Sequence, residues 1–263
     1  SFLPVATLAT LQSAYRELIE RYRHRSQSDD DVLIEADHSA DNPRFKRINR
    51  ATDQHQTMWA YAANSVMTDV VSDLVGPAVR IRESYINCKS PQGGEHIDWH
   101  QDFPFFPHTN KALLTVLTFL EDVSNDMGPI RLLPGSHKDT IYDHYDAEGR
   151  WAGKLADKDV ASLDLDKTVS LCGPAGTVVI FDCCVVHGSA PNLTDVSRTL
   201  SIFSYRSEDS RILHPNHLPS VHEGEVVRGE ATGRIRCVAY EMPIAEKPET
   251  ASFFDQQARG VAS

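Results

Sequence analysis

The sequence predicts a mainly β fold with flanking helices. Two observations lead to this prediction: helical periodicity is confined to the first third of the chain, and from residue 78 onward short β-type runs are separated by Gly, Pro, Asn and Asp. Helices first and many strands afterwards are typical of a β-barrel or sandwich supported by helices. We expect one domain over residues 1–263.

Two amphipathic helices are predicted in the supporting region, at about residues 1–77. From residue 8 to 23, apolar side chains recur at intervals of three and four, which places them on one helical stripe. A second helix is predicted from Thr52, a suitable N-cap, to the stop at Gly76 and Pro77. Both helices are expected to pack outside the β core.

The predicted β core covers about residues 78–242. Its runs are 78–88, 96–102, 111–121, 168–172, 176–187, 198–206 and 235–241. Two polar segments, 138–167 and 207–233, are longer than ordinary connections between strands. We therefore expect each of them to be a lid over a site or a mobile insertion.

Charge and cysteine content narrow the possible partners. With 26 basic and 37 acidic side chains, the net charge of −11 disfavours nucleic acid and anionic membrane surfaces. Five cysteines, an odd number without a CxxC pair, indicate a reducing, cytoplasmic compartment. No apolar run approaches the ~18 residues that a membrane span needs. The choice between a monomer and a homodimer stays open.

His100 and Asp102 end a run that alternates as a strand does. Because side chains repeat every second residue along a strand, the imidazole and the carboxylate point to the same side and could hold one ion. His187, at the end of the predicted strand 176–187, is the candidate third ligand. Two histidines and one carboxylate leave one face of an octahedral ion open, which suits iron(II), whereas zinc prefers a closed four-coordinate site.

Spacing alone does not make this metal site unique. The tripeptide His96-Ile97-Asp98 offers the same ligand types on the same strand parity. A single histidine at a strand end, such as His187, is also more often a structural residue than a ligand. The two tripeptides therefore remain alternatives on the residues alone.

Arg198 strengthens the metal interpretation. It lies eleven residues after His187, at the head of the next β run, where a hairpin would place it beside the metal strand. A guanidinium there would pair bidentately with the remote carboxylate of a dianion. Taken alone, Arg198 would be a surface arginine opposite Asp195 or Glu208.

Four blocks of sequence resemble the phytanoyl-CoA dioxygenase family. They are 99–103 (WHQDF), 128–138 (GPIRLLPGSHK), 187–192 (HGSAPN) and Arg198. Their combination is specific, although each block alone is weak. The segment 83–89 (ESYINCK) is most similar to ectoine-hydroxylase-type members.

The resemblance implies a double-stranded β-helix, which is a jelly-roll of the cupin type, and an oxygenase that uses iron(II), 2-oxoglutarate and O2. His100, Asp102 and His187 match the iron ligands of the family. The resemblance therefore selects His100 and Asp102 over His96 and Asp98.

The resemblance also implies a 2-oxoglutarate site. Arg198 matches the residue that binds the far carboxylate, and Asn87 matches a position that contacts the cosubstrate near the metal. Many oxygenases of this kind have Ser or Thr two residues after the arginine, but this chain has Leu200. Thr118 and Ser189 are the candidates for the missing hydroxyl partner.

The substrate site is predicted less directly. Glu83 stands where ectoine-type enzymes have a neutral amide, and Phe106 and Ile202 stand where they have bulkier aromatic groups, so ectoine itself is not the expected substrate. Glu83 and Arg131 are the charged candidates for substrate contact. Together they would suit a small zwitterion such as an amino acid or its derivative.

The implied reaction is hydroxylation of an unactivated C–H bond of a small, amino-acid-like or natural-product substrate, with release of succinate and CO2. Desaturation, epimerisation and cyclisation stay open, as do a cupin-like metal enzyme without 2-oxoglutarate and a non-catalytic binding protein. Asp102 disfavours halogenation, because related halogenases have Gly or Ala there. Phe103, Phe105 and Phe106 are predicted to wall the substrate pocket, with core packing as the alternative.

Overall fold

The computed structural model describes residues 2–138, 140–244 and 252–259. Residues 1, 139, 245–251 and 260–263, which belong to the predicted domain, lie outside the described residues. The strands are β1 (Val32–Ile34), β2 (Phe45–Asn49), β3 (Val79–Lys89), β4 (Ile97–His100), β5 (Leu113–Phe119), β6 (Ile130–Leu132), β7 (Val169–Ser170), β8 (Val178–Asp182), β9 (His187–Ser189), β10 (Arg198–Ser207) and β11 (Val226–Arg228).

The strands form two antiparallel sheets that face each other. The large sheet has the order β1-β2-β3-β10-β5-β8, with β11 paired to β3, and the small sheet has the order β4-β9-β6-β7. A core between the sheets joins Leu117 and Phe119 of β5 to Leu200 and Ile202 of β10, with Ile130 of β6 packed against them. The predicted double-stranded β-helix is confirmed.

The helices of the described residues are α1 (Val5–Tyr22), α2 (Ala51–Gln54), α3 (Gln56–Ala63), α4 (Val66–Val75), α5 (Asp157–Val160) and α6 (Phe253–Arg259). The first four cover the outer face of the large sheet. Leu11 and Leu18 of α1 join Met58 of α3 and Phe203 of β10 in the larger core. No helix in the described ranges combines the length and apolar character that crossing a membrane requires.

One continuous helix from Thr52 was a wrong prediction. The backbone at His55 is extended, and the His55 ring accepts a hydrogen bond from the Thr57 amide at 3.1 Å, so that α3 starts afresh. Thr52 lies inside α2 instead of capping a helix. A further break after α3 lets α4 begin with Ser65 as its N-cap.

The supporting region is also less helical than predicted, because β1 and β2 lie within it. β2 pairs with β3 and thereby extends the large sheet. Two residues of β2 are buried, Phe45 and Ile48, and their spacing of three does not match the alternation expected of a strand. This short strand, between β1 and β3, reaches the functional site.

Three predicted strands differ from the structure. The run 96–102 ends as a strand at His100, and the run 176–187 is two strands, because the Asp182 carboxylate accepts a hydrogen bond from the Cys184 amide at 2.7 Å and turns the chain. β8 therefore lies in the large sheet and β9 in the small one. The run 235–241 is irregular and forms no strand, whereas β6 and β11 were not predicted as strands.

Candidate metal centre

His100, Asp102 and His187 converge between the two sheets. His100 and His187 are direct partners in the register of β4 and β9, and Asp102 follows β4 by two residues. Each Nε2 lies 3.7 Å from Asp102 Oδ1. The three ligand atoms lie within 4.8 Å of one another, which fits a single ion held on one side.

Backbone carbonyls orient both imidazoles. His100 Nδ1 lies 2.8 Å from the carbonyl oxygen of Asp98, and His187 Nδ1 lies 2.9 Å from that of Val185. Nδ1 therefore carries the proton and donates, which leaves Nε2 as the free lone pair directed at the site. Burial, with His187 close by, lowers the pKa of His100 well below its usual value and so keeps the ring neutral, as a metal ligand must be.

Thr115 of β5 positions the carboxylate. Its hydroxyl donates to Asp102 Oδ2 at 2.7 Å, which leaves Oδ1 to face the two imidazoles. This residue was not predicted from the sequence. Thr118, which was predicted to bind 2-oxoglutarate, lies on the opposite face of the strand, where its hydroxyl is 2.8 Å from the Tyr61 hydroxyl. That prediction was wrong.

Replacing Thr115 with valine should lower metal affinity or turnover by about 10- to 100-fold, the usual effect of losing a partner that orients a metal ligand. Valine keeps the shape but leaves Asp102 Oδ2 without its donor. Iron titration and turnover assays measure the effect. Thr118→Val is the matched control, because it removes a hydroxyl from the same strand on the other face; an equal loss in both variants would contradict the role of Thr115.

The alternative tripeptide does not join this cluster. His96 is exposed, and its Nε2 lies 3.4 Å from Asp98 Oδ1. Asp98 also pairs with Lys154 at 3.6 Å. The structure therefore brings together the pair His100 and Asp102 with His187, and it leaves His96 apart.

A cavity of about 630 Å³ extends from the three ligands between the sheets. Arg198 lines it and is only 3% exposed. Its Nη2 donates weakly to the carbonyl of Gly128 at 3.4 Å, and its buried Nε has no hydrogen-bond partner among the described residues. Burial lowers the pKa of Arg198 to about 10, so it stays charged at neutral pH. A buried cation with an unmet donor fits an anionic ligand.

Lys89 is a second basic side chain at this end of the cavity, and it was not predicted. It is the direct register partner of Arg198, on β3, and it lines the same cavity. Its ammonium donates to the carbonyl of Glu95 at 2.8 Å and to that of Ala190. Burial and the neighbouring Arg198 lower the pKa of Lys89 to about 6. Register with Arg198 is the signal that would have identified it.

Lys89 should make stability depend on pH. Its pKa is lower in the folded protein, so as pH falls from about 10.5 to about 6 the unfolded chain takes up a proton that the native amine does not, and stability declines. Lys89→Met should raise the free energy of unfolding by about 1–3 kcal/mol at pH 7, after the loss of two hydrogen bonds is counted.

Denaturant unfolding of this variant at several pH values measures the gain, which should shrink toward pH 10.5. The exposed Lys158, replaced by methionine, is the control and should show no such pH dependence. A Lys89→Met variant that is less stable than the parent at pH 7 would contradict the shifted pKa.

The other predicted residues divide by position. Those that line the cavity are Glu83, Asn87, Phe105, Phe106, Ser189 and Ile202. Phe103 packs in the core against Tyr240 instead, with ring centroids 5.3 Å apart. Arg131 was predicted as a substrate contact, but it is exposed on the small sheet, where it donates to Thr168 and lies over the Trp99 ring. The structure does not bring Arg131 to the cavity.

The two long polar segments differ in their relation to the cavity. Several residues of 207–233 line it, including Ile212 and Leu218, and no described residue of 138–167 does. The latter segment packs behind the ligand strand, where His144 Nε2 accepts a hydrogen bond from the Gln101 amide at 3.0 Å. Burial lowers the pKa of His144 to about 4, which keeps this acceptor unprotonated. Lid motion of either segment stays a prediction.

Two elements at the cavity were missed by the sequence analysis. Arg47 of β2 and Phe253 and Phe254 of α6 line the cavity. The Phe253 ring lies 5.1 Å from the His100 ring. The C-terminal helix therefore forms a wall of the metal cavity, although it is far from the ligands in sequence.

The fold and the three converging ligands define a class of protein. The chain belongs to the phytanoyl-CoA dioxygenase family, whose sequence profile matches residues 1–200. Among curated relatives, the probable alpha-ketoglutarate-dependent hypophosphite dioxygenase of Stutzerimonas stutzeri is 33% identical over 180 residues, which are 68% of this chain and 62% of that protein. The ectoine dioxygenase of Sphingopyxis alaskensis is 28% identical over 204 residues, 71% of this chain and 66% of that protein.

A solved structure shares the fold. EctD from S. alaskensis with bound Fe superposes with a TM-score of 0.71 at 22% identity, covering 88% of this chain and 81% of that chain. The chain spans less than two thirds of the length of the curated relatives above, 62% and 66%. The family profile and the solved structure together establish the family and the fold of this chain.

Proposed function

We propose that this protein is an iron(II)- and 2-oxoglutarate-dependent dioxygenase that hydroxylates an unactivated C–H bond of a small organic molecule. The observation that carries the proposal is one cavity that holds both a two-histidine, one-carboxylate cluster and a buried arginine whose Nε has no hydrogen-bond partner in the described part of the chain. The names of the relatives, which include dioxygenases and a proline hydroxylase, support the same class.

The residues fit the iron and the cosubstrate. Two neutral imidazoles and one carboxylate are the donor set of non-haem iron(II) oxygenases, and they leave one face open. Arg198 brings a buried guanidinium to the same cavity, and Lys89 beside it brings an amine that can take up a proton when an anion binds, which suits a dicarboxylate such as 2-oxoglutarate. When bound, iron with 2-oxoglutarate and O2 supplies the oxidising power for C–H hydroxylation, with succinate and CO2 as by-products.

The chain itself binds, orients and excludes water. Arg198 receives the far carboxylate, while Asn87 and Ser189, which line the cavity, are the proposed polar contacts nearer the metal. Phe105 packs edge-on against His100, with centroids 5.9 Å apart, and Phe181 packs against His187 at 5.0 Å. These rings hold the imidazoles and keep bulk water from the ligand atoms.

The proposed partner is a small-molecule substrate, bound in the part of the cavity beyond the ligands. Phe106 and Ile202 are its proposed apolar walls. Glu83 lines the same region, but its carboxylate pairs with Arg82. We also propose a cytoplasmic location, on the ground that all five cysteines are free.

Anaerobic addition of iron(II) and 2-oxoglutarate should produce a weak visible charge-transfer band. A substrate screen in air, with succinate release as readout, should then identify the substrate. The mass of the product distinguishes hydroxylation, which adds an oxygen atom, from desaturation or cyclisation, which remove two hydrogens, and from epimerisation, which changes nothing. Absence of both band and succinate would contradict the proposal and favour a binding protein.

A further inference from the structure

Six basic and six acidic side chains of the described residues line the cavity, and the basic ones differ in whether a carboxylate pairs with them. Its lysine and arginine side chains among the described residues are Lys46, Arg47, Arg50, Arg82, Lys89 and Arg198. Three of them pair with carboxylates: Lys46 with Glu95, Arg50 with Asp31, and Arg82 with Glu83.

Arg47 differs from those three, because no carboxylate of the described residues forms an ion pair with it. Since Arg198 and Lys89 are assigned to the cosubstrate, Arg47 is the remaining charge without an anion. A half-buried guanidinium without a counter-ion fits a negatively charged ligand.

Arg47 is held in a fixed orientation. It faces Asn87 across β2 and β3, and its Nε donates to Asn87 Oδ1 at 2.8 Å. The guanidinium carbon lies 4.2 Å from the centre of the Tyr85 ring. Its two Nη groups form no hydrogen bond with the described residues, so this end of the guanidinium remains available to a ligand.

Aromatic rings surround this guanidinium. Its carbon lies 4.9 Å from the Phe254 ring and 5.3 Å from the Phe253 ring, both on α6. The Phe253 ring also contacts the metal ligand His100 and packs 5.3 Å from Phe105. A ligand held by Arg47 would therefore lie among aromatic walls beside the metal cluster.

α6 is itself anchored on the far side of the cavity. Gln257 Oε1 accepts from the Asp98 amide at 3.0 Å, and Gln257 Nε2 donates to the carbonyl of Gly153 at 2.9 Å. Gln256 Oε1 accepts from the Trp151 indole at 2.6 Å. These bonds fix the two phenylalanines in place as a wall of the cavity, outside the residues 1–200 that match the family profile.

We propose that Arg47, with the rings of Tyr85, Phe253 and Phe254 around it, is the subsite that receives a carboxylate of the organic substrate. This inference rests on the proposed function for the identity of the occupant. In this proposal Arg47, and not the exposed Arg131, anchors the substrate. The substrate is predicted to be an anion and not a zwitterion, because the carboxylate of Glu83 is already paired with Arg82. A bidentate arginine contact with a carboxylate accounts for the choice of Arg at this position.

Phenylacetate and its neutral amide, phenylacetamide, share a phenyl group that suits the aromatic walls and differ in charge. Comparing their affinities therefore tests whether the subsite prefers an anion. Calorimetric titrations use the protein loaded with iron(II) and 2-oxoglutarate under argon. We expect the acid to bind at least about tenfold more tightly than the amide, which corresponds to about 1.4 kcal/mol. In Arg47→Gln the acid and the amide should bind within about twofold of each other, and in Arg47→Lys part of the preference should remain.

Arg131→Gln is the matched control and should keep the full preference, because this arginine lies outside the cavity. Equal binding of acid and amide, no saturable binding of either, or a preference that persists in Arg47→Gln would overturn the proposal. Loss of the charge-transfer band in Arg47→Gln would assign Arg47 to 2-oxoglutarate and would also overturn it. The band is read from the parent protein before titration, so its absence there would contradict the proposed function and not the subsite.

Discussion

Asp102→Ala should abolish measurable succinate formation and weaken iron(II) binding by more than about a hundredfold, since losing an outer partner of a ligand already costs about 10- to 100-fold. Asp102 Oδ1 is the only anionic ligand atom in the cluster, at 3.7 Å from both Nε2 atoms. Its removal leaves two neutral imidazoles to hold a doubly charged ion. Iron(II) titration under argon and succinate assays with the identified substrate measure both effects.

Asp98→Ala is the matched control for this prediction. It removes a carboxylate from the neighbouring tripeptide, whose side chain pairs with His96 and Lys154 at the surface. The Asp98 carbonyl that orients His100 belongs to the backbone and stays in place. Iron binding and turnover should therefore change less than about twofold, as surface substitutions usually do. A comparable loss in both variants would mean that Asp102 is not a ligand.

The three candidate metal ligands could be predicted because local spacing proposed them and the family resemblance then selected His100 and Asp102 over His96 and Asp98. His100 and Asp102 are two residues apart, so they stay on one side of the chain even though the strand itself ends at His100. His187 was placed at the end of one long strand, whereas it begins β9 after a turn. His187 was nevertheless predicted at the right place, because the turn after Asp182 brings the chain back to the same cavity.

Side-chain direction on β5 could not be predicted in the same way. Both faces of this strand are buried, so its sequence LLTVLTF shows no alternation of apolar and polar residues. Thr115 and Thr118 are chemically identical, and only the register with β10 and β8 shows which one faces the metal. A uniformly apolar pattern does not show which residues of a strand share a face. Thr118 was therefore wrongly predicted to bind 2-oxoglutarate.

The substrate subsite was missed for a different reason. Arg47 lies on a five-residue strand whose pattern does not alternate, and the phenylalanines that flank it come from the opposite end of the chain. No local spacing connects residue 47 with residue 253. Such contacts arise from tertiary packing alone, and they are the contacts in which we expect family members with different substrates to differ.

Arg198→Ala should raise the dissociation constant of 2-oxoglutarate by about 30- to 4,000-fold, the equivalent of the 2–5 kcal/mol that follows from truncating one partner of a buried charge pair. Arg198 is 3% exposed, and no residue that the structure describes is a hydrogen-bond partner of its Nε, so the bound carboxylate would be its main counter-charge. Lys89 is mostly uncharged at neutral pH before binding, because its pKa lies at about 6, and it could not replace Arg198 without first taking up a proton. Titration of the charge-transfer band measures the change.

Two further variants make this prediction specific. Arg198→Lys keeps a charge but loses the planar fork, and we expect about a tenfold weaker affinity. Arg228→Ala removes an exposed arginine that pairs with Asp69 on the outer surface, and it should leave the affinity unchanged.

If Arg198→Ala turned over its substrate normally, 2-oxoglutarate would not be anchored by this residue. The two-histidine, one-carboxylate cluster would then belong to a cupin-like metal enzyme that works without 2-oxoglutarate. In such an enzyme the buried guanidinium opposite Lys89 would not be required.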